Sequence, residues 1–495
     1  MIPTNLKYTS KVESSVAKSY RTNIQPQGGG PYLLGDTVIF NIPTRQNLVL
    51  SCCDSYLKFK INIASGNSNN NFRFDSQGAH SIIRRIRTFS GSNLLEDIDS
   101  YGMLAKIMND LYMPTDSVYG KLNACTGTRN DLVSTLVALP GTYAAAPAAG
   151  ASCFQTNSGD LVGSGTQFTT NITNPAVVGA TSTVTDTYCI NLISIMGALC
   201  SNNYFPLFAC TSAPIRIELT LAQNLSEIVL QKSTIVANTV TFSNMEYVAQ
   251  FIELGDSAMQ QVYQSLGQEP LQFVVPGYRN YQYNATIPQN VSTQISMPVP
   301  AKFSSLKSII VSQRDQFGVA TVFPYSSVSM GIQNYQWRCG SVVLPSKPPE
   351  TIPEMFQELC KVAGSLADLS YQPSIEKFSY QYYNSTNGVI TTNQTLGTNT
   401  AYAIQVDSAT SVSNNNSGSF YVGVDFENFP SSEKSKVFSG YNSNNDDIYF
   451  NPTYLQNLAV VAGQITSTTA SLRYDAFANF DMVLVFESNT CYSKF

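Results

Sequence analysis

The chain has 495 residues, more than the roughly 250–300 that one hydrophobic core serves, so two domains are expected. Only 12% of residues are charged, about half the usual roughly 25%, and 28 Lys and Arg against 33 Asp and Glu leave a net charge of −5. Those values exclude wholesale nucleic-acid binding and argue against exposed helices with Glu/Lys faces. They suit a β protein with polar loops, or one whose surface is covered by copies of itself.

At the N-terminus, Lys7, Lys11, Lys18 and Arg21 stand against Glu13 alone. The triple glycine at 28–30 follows, so residues 1–30 read as a locally basic N-terminal arm. The arm lacks the apolar core of a secretory signal, and no apolar run reaches the roughly 18 residues needed to cross a bilayer. Alternation and β-branched content then predict strands at 36–43, at 56–64 with Leu57, Phe59, Ile61 and Ile63 on one face, and at 80–89. The third of these places Arg85 and Arg87 on one face and Arg84 on the other, either a solvated face or a basic patch that meets a neighbour's acid. A turn at Gly91, a short strand and a helix from Tyr101 follow. Residues 112–184, rich in Ala, Gly, Thr and Asn, carry no period and read as one long loop.

Further strands are expected at 215–222, 244–253, 281–288 and 305–312. A strand with the only Trp, Trp337, breaks at Gly340 and steps through "SKPPETIPE" into a second helix. There Thr351 and Glu354 form a capping box and Met355, Phe356, Leu359 and Val362 an apolar stripe. That stripe packs either on its own sheet or on another subunit. The counterpart of the long loop, near 365–398, is much shorter, and strands at 419–428 and 476–487 close the chain.

The two halves echo each other. "IP" at 42–43, Gly91 and the helix start at Tyr101 recur about 250 positions later at 287–288, Gly340 and Ile352. "YCINL" (188–192) then resembles "YAIQV" (402–406), "IELTLAQN" resembles "VGVDFENF", and Glu253 matches Glu487, at a smaller offset. A duplicated module with one shortened loop gives this pattern. The fold class that follows is all-β: two tandem eight-stranded antiparallel jelly rolls, each with an inserted short helix and long surface loops. The first roll spans 31–265 and the second 266–495.

The two helix entries, "SGSNLLEDIDSYG" and "CGSVVLPSKPPET", and the ending "YDAFANFDMVLVFESNTCYSKF" resemble the double jelly-roll major capsid proteins of double-stranded DNA viruses, in the virophage, polinton-like and adenovirus-hexon lineage. The resemblance covers residues 30–495. It implies homotrimers of pseudo-hexagonal outline that tile an icosahedral shell, in a virion whose subunits are made in the host cytoplasm or nucleus without a signal peptide. It implies outer towers at 112–184 and 388–418, and partners in neighbouring capsomers, penton and minor or cement proteins. The arm with Lys7, Lys11, Lys18 and Arg21 would face the genome or an internal membrane.

Signals for chemistry are sparse. The one histidine, His80, supports neither a His-rich metal site nor a triad, and no P-loop, GxSxG, HExxH or CxxC is present. The ten cysteines read as reduced apolar residues. Asp446 and Asp447 in "NSNNDDIYFNP" read as a turn, with Ca²⁺ binding the sharper alternative. No catalytic residue, cofactor, metal or small-molecule substrate is expected. The rival reading is a tandem jelly-roll glycan-acting enzyme with carboxylates such as Glu218, Asp425 and Glu427, or a lectin or adhesin.

Overall fold

The computed structural model describes residues 17–65, 72–74, 77–114, 117, 125–127, 182–201, 203–228, 230–231, 238–266, 270–288, 291–315, 325–329, 331–363, 373–375, 380, 418–427, 440–455 and 469–495. Most of residues 112–184 and 388–418 lies outside them, as do Lys7 and Lys11.

Alternation produces the sheets. Along β3 (Leu48–Ser65), Leu57, Phe59, Ile61 and Ile63 are fully buried while Tyr56, Lys58, Lys60 and Asn62 between them are half-exposed. The first half adds β1 (Ala17–Ile24), β2 (Thr37–Asn41), β4 (Ile83–Ser90), β5 (Asn93–Asp99), β6 (Ser182–Ile190), β7 (Ile215–Leu221) and β8 (Asn238–Leu254). The second half holds β9 (Leu271–Pro288), β10 (Met297–Val299), β11 (Leu306–Asp315), β12 (Ile332–Cys339), β13 (Val342–Leu344), β14 (Tyr421–Asp425), β15 (Ile448–Leu455) and β16 (Thr469–Glu487). A final β17 (Thr490–Lys494) pairs with β16.

Hydrogen bonding orders the first half as β1-β8-β3-β6 and β2-β7-β4-β5, and the second as β9-β16-β11-β14 and β10-β15-β12-β13. Each second-half label is the first-half label plus eight, so the same permutation occurs twice. This is the double jelly roll that the sequence predicts: antiparallel sheets paired face to face. Among the described residues no strand of one half pairs with a strand of the other.

The helices recur too. α1 (Tyr101–Tyr112) follows β5, and α3 (Ile352–Ala363), of equal length, follows β13. An additional α2 (Asp256–Leu266) joins the halves. Gly91 and Gly340 both turn with φ +57°, the left-handed region that a side chain disfavours. The α3 entry is the expected capping box: Glu354 N donates to Thr351 Oγ1 and the Glu354 carboxylate accepts from the amides of Glu350 and Thr351.

Three expectations change. Residues 17–24 are an edge strand of the first sheet rather than arm, because Tyr20 and Ile24 pack on the core while polar neighbours face out. The first eight-stranded unit therefore starts before residue 31. Residues 80–82 belong to a 3-10 turn (Gly78–Ile82), with the strand starting at Ile83. The echoes also need realignment. "IELTLAQN" is β7, whose counterpart is β15, whereas "VGVDFENF" carries β14, the counterpart of β6. Likewise "IP" at 42–43 follows β2 but "IP" at 287–288 ends β9, the counterpart of β1.

Candidate functional site

The most elaborate polar chemistry lies where the halves meet. In the second half, Tyr474 and Gln313 reach the Tyr454 hydroxyl of the facing sheet, which marks the inner side of β16 and β11. Strand alternation therefore sends Asp475, Ser312 and Arg314 to the outer side. α1 of the first half lies across that outer side and crosses the four strands in their sheet order.

At β9, Gln282 donates to Asp99 Oδ2 and to Ser100 Oγ, both at 3.1 Å. At β16, Arg473 donates to Ser100 Oγ (2.9 Å), which donates to Asp475 Oδ1 (3.3 Å). At β11, the Ser312 hydroxyl points at Met103 Sδ (3.7 Å). At β14, Asp110 accepts from Ser419 Oγ (2.8 Å) and Tyr421 OH (2.7 Å), and Lys106 Nζ donates to both Ser419 Oγ (3.3 Å) and Asp110 (3.1 Å). Ser100 occupies the position of an N-cap, but its φ is +50° and its hydroxyl serves the seam rather than the helix.

Asp475 is fully buried between Arg314 and Arg473. Burial pushes its carboxyl up, but the two guanidiniums outweigh that and hold it below the usual aspartate range. Beside this network Asn93 donates to the Cys491 carbonyl, Cys491 N donates to Ser90 Oγ, and Phe205 packs edge-on against Phe486 and Phe273. The seam is continuous core on one side and a matched ionic array on the other.

The residues singled out from sequence fall elsewhere. Arg85 makes a two-pronged contact with Asp97 (2.6 and 2.8 Å) and Arg87 pairs with Glu218 (2.9 Å), so the chain supplies their acids itself. Arg84 is half-buried on the same strand. Lys18 and Arg21 are exposed on β1, and Arg21 donates to the Tyr56 hydroxyl. His80 is buried, 3.0 Å from the Tyr101 hydroxyl, and burial lowers its pKa to about 4, which fits a neutral structural imidazole.

Glu218 is held by Arg87 and Arg216 in the first half, while Asp425 and Glu427 lie at the end of β14 near Lys307. Burial raises Asp425 to about 6. Asp446 and Asp447 line an open cleft of about 490 Å³ with Arg338, Tyr449 and Asn451, and Lys302 Nζ bonds Asp447 at 2.9 Å. Among the described residues no cluster of His, Cys, Asp and Glu has the makings of a metal site. No described helix is long and apolar enough to cross a membrane.

Sequence reasoning missed Met103, Lys106, Asp110 and Asp475. The Ser100 hydroxyl and the Gly91 turn were the signals within reach.

No protein-family model matches the chain, and no curated protein matches it by sequence. Solved structures do. The mavirus major capsid protein is 11% identical, with a TM-score of 0.55 over 100% of this chain and 95% of its own. The Sputnik virophage structure is 10% identical, with a TM-score of 0.57 over 100% and 91%. The capsid of PBCV-1 virus is 10% identical, with a TM-score of 0.56 over 98% of both chains. The fold is that of a viral capsid double jelly roll, end to end. It is shared with the capsid protein chains of mavirus, Sputnik and PBCV-1.

Proposed function

We propose that the chain is a major capsid protein, a structural and non-enzymatic subunit that assembles with copies of itself into a viral shell. The single observation that carries this reading is the repeated strand permutation, locked into one block by α1 across the second sheet. Nothing about a soluble enzyme requires two sandwiches held in one orientation by a buried ionic array. A building block that presents near-equivalent sides does require it.

Three chains of two rolls then make a six-rolled ring of pseudo-hexagonal outline, with the rolls dividing between residues 265 and 266. Lys7 and Lys11, ahead of β1, face inward towards genome, internal membrane or minor proteins. The low charge supports dense packing, because like charges repeated by symmetry repel.

Size-exclusion chromatography with light scattering, followed by negative-stain imaging, tests the reading. Homotrimers of hexagonal outline, or closed shells, are expected. A strictly monomeric protein that hydrolyses glycans would overturn it and favour the carboxylate-based alternative.

A further inference from the structure

The two halves differ in what covers them. In α1 the residues that touch the second sheet are Met103, Lys106 and Asp110, preceded by Asp99 and Ser100. Counted from the first residue of each twelve-residue helix, their equivalents around α3 are Glu354, Gln357 and Lys361, preceded by Glu350 and Thr351. All five α1-side residues are buried or half-buried, and all five equivalents are exposed. In the neighbouring strand Asn93, two residues after Gly91, bonds the second half, whereas its counterpart Val342 is 48% exposed; the next residues, Leu94 and Val343, are alike at 42%.

The surface α1 covers has its own counterpart. Equivalent to β9-β16-β11-β14 is β1-β8-β3-β6, whose outer side presents Arg21, Tyr56, Lys58, Lys60 and Thr187, all exposed or half-exposed. The ionic pattern recurs in both sheets: Arg314 on β11 pairs with Asp475 on β16, and Lys58 on β3 pairs with Glu246 on β8 at 3.6 Å. One uncovered helix face carries Glu350, Glu354 and Lys361, and one uncovered sheet face carries Arg21, Lys58, Lys60 and Glu246.

We infer that the exposed side of α3, with Val342 and Val343, docks across the outer face of β1-β8-β3-β6 of a second copy, repeating between chains the seam that α1 makes within one. The inference rests on the capsid reading and specifies its interface. The contact is heterologous, helix of one copy on sheet of the next, and such contacts close into rings when the rotation permits. Its charges are complementary in balance: Glu350 and Glu354 outnumber Lys361 on the helix side, and Arg21, Lys58 and Lys60 outnumber Glu246 on the sheet side.

The test places a benzophenone photocrosslinker at Gln357 in the full chain and mixes isotope-labelled with unlabelled copies. Crosslinks between copies to peptides containing β1 or β3 are expected. A companion variant, Glu350→Arg with Gln357→Arg, turns the helix face basic and is expected to weaken association at least roughly tenfold through like-charge contact. Arg21→Glu with Lys60→Glu should restore it. All four positions are solvent-facing, so the melting temperature of the separated monomer serves as the folding control. Trimers that crosslink at other surfaces, or that ignore the charge changes, overturn this inference and leave the capsid reading standing. A protein that never leaves the monomer overturns both.

Discussion

Lys106 and Asp110 lie one turn apart on α1, 3.1 Å from each other, with side chains only 0% and 3% exposed. A lysine–aspartate pair at this spacing is worth a few tenths of a kcal/mol on a wet helix. Here both charges are desolvated, and Asp110 also holds Tyr421 and Ser419 of the second half. Removing one partner of such a pair costs about 3–5 kcal/mol, because the other charge remains buried. Asp110→Ala should therefore lower the chemical-denaturation midpoint far more than Lys361→Ala, whose pair with Glu358 is exposed. Equal effects of the two substitutions would show that the seam does not depend on this pair.

The duplication was legible where backbone geometry leaves a mark. Gly91 and Gly340 sit at matching turns with the same φ, and Thr351 and Glu354 announce the α3 entry. The alternation of Leu57, Phe59, Ile61 and Ile63 placed the second half of β3, whose first half from Leu48 it did not reach. β1 was hidden because an edge strand buries little: only Tyr20 and Ile24 interrupt a polar run that reads as an arm. β15 was hidden by its own preface, since "NSNNDD" announces a turn and draws attention from the strand that follows. Short β-branched matches arise by chance, which is why "IELTLAQN" found the wrong partner. The seam was illegible for a different reason. Lys106 and Asp110 look like a solvated helix face, and what buries them lies 313 and 309 positions downstream.

The turn glycines give a second prediction. A Cβ on Gly340 would stand 2.7 Å from Asp446 Oδ1, and one on Gly91 would stand 3.1 Å from the Ala213 Cβ, each on a residue held at φ +57°. Left-handed backbone alone costs an alanine roughly 1 kcal/mol. Gly340→Ala must also displace a carboxylate that accepts from the Tyr441 hydroxyl, so it should cost more than Gly91→Ala. Thermal melting of the two variants checks the order. A Gly340→Ala protein as stable as the wild type would mean that Asp446 moves aside freely.

Asp475 predicts acid lability of the seam. Its folded pKa is depressed below the unfolded value, so its contribution is present above the ordinary aspartate range and is lost as pH falls through the folded pKa. Asp475→Asn keeps the shape and leaves Arg314 and Arg473 facing each other without a carboxylate. The variant should be less stable at neutral pH by a few kcal/mol, of the order found for broken buried pairs. Its deficit should shrink below about pH 4, where the carboxyl of the unfolded wild-type chain begins to take up a proton that the folded state still excludes. A deficit that stays constant from pH 7 to pH 3 would place the stabilisation in packing instead.

Glu96 runs the other way. It is buried, accepts hydrogen bonds from Ser194 Oγ (2.6 Å), Thr88 Oγ1 (3.2 Å) and the Ile195 amide, and burial raises its pKa to about 7 against the pull of those donors. The folded state therefore binds a proton that the unfolded state has released above the ordinary glutamate range. Its stabilisation is complete below that range and declines as pH rises towards 7. Glu96→Gln keeps acceptor oxygen and shape while removing the titration. Each tenfold difference in proton affinity between the folded and unfolded states is worth about 1.4 kcal/mol, so wild-type stability should fall by roughly 3 kcal/mol relative to the variant between about pH 4.5 and pH 7.5. Denaturation midpoints at four or five pH values in that window suffice. Parallel curves for the two proteins would show that the Glu96 carboxyl titrates normally, and that the turn at Ser194–Ile195 opens to water.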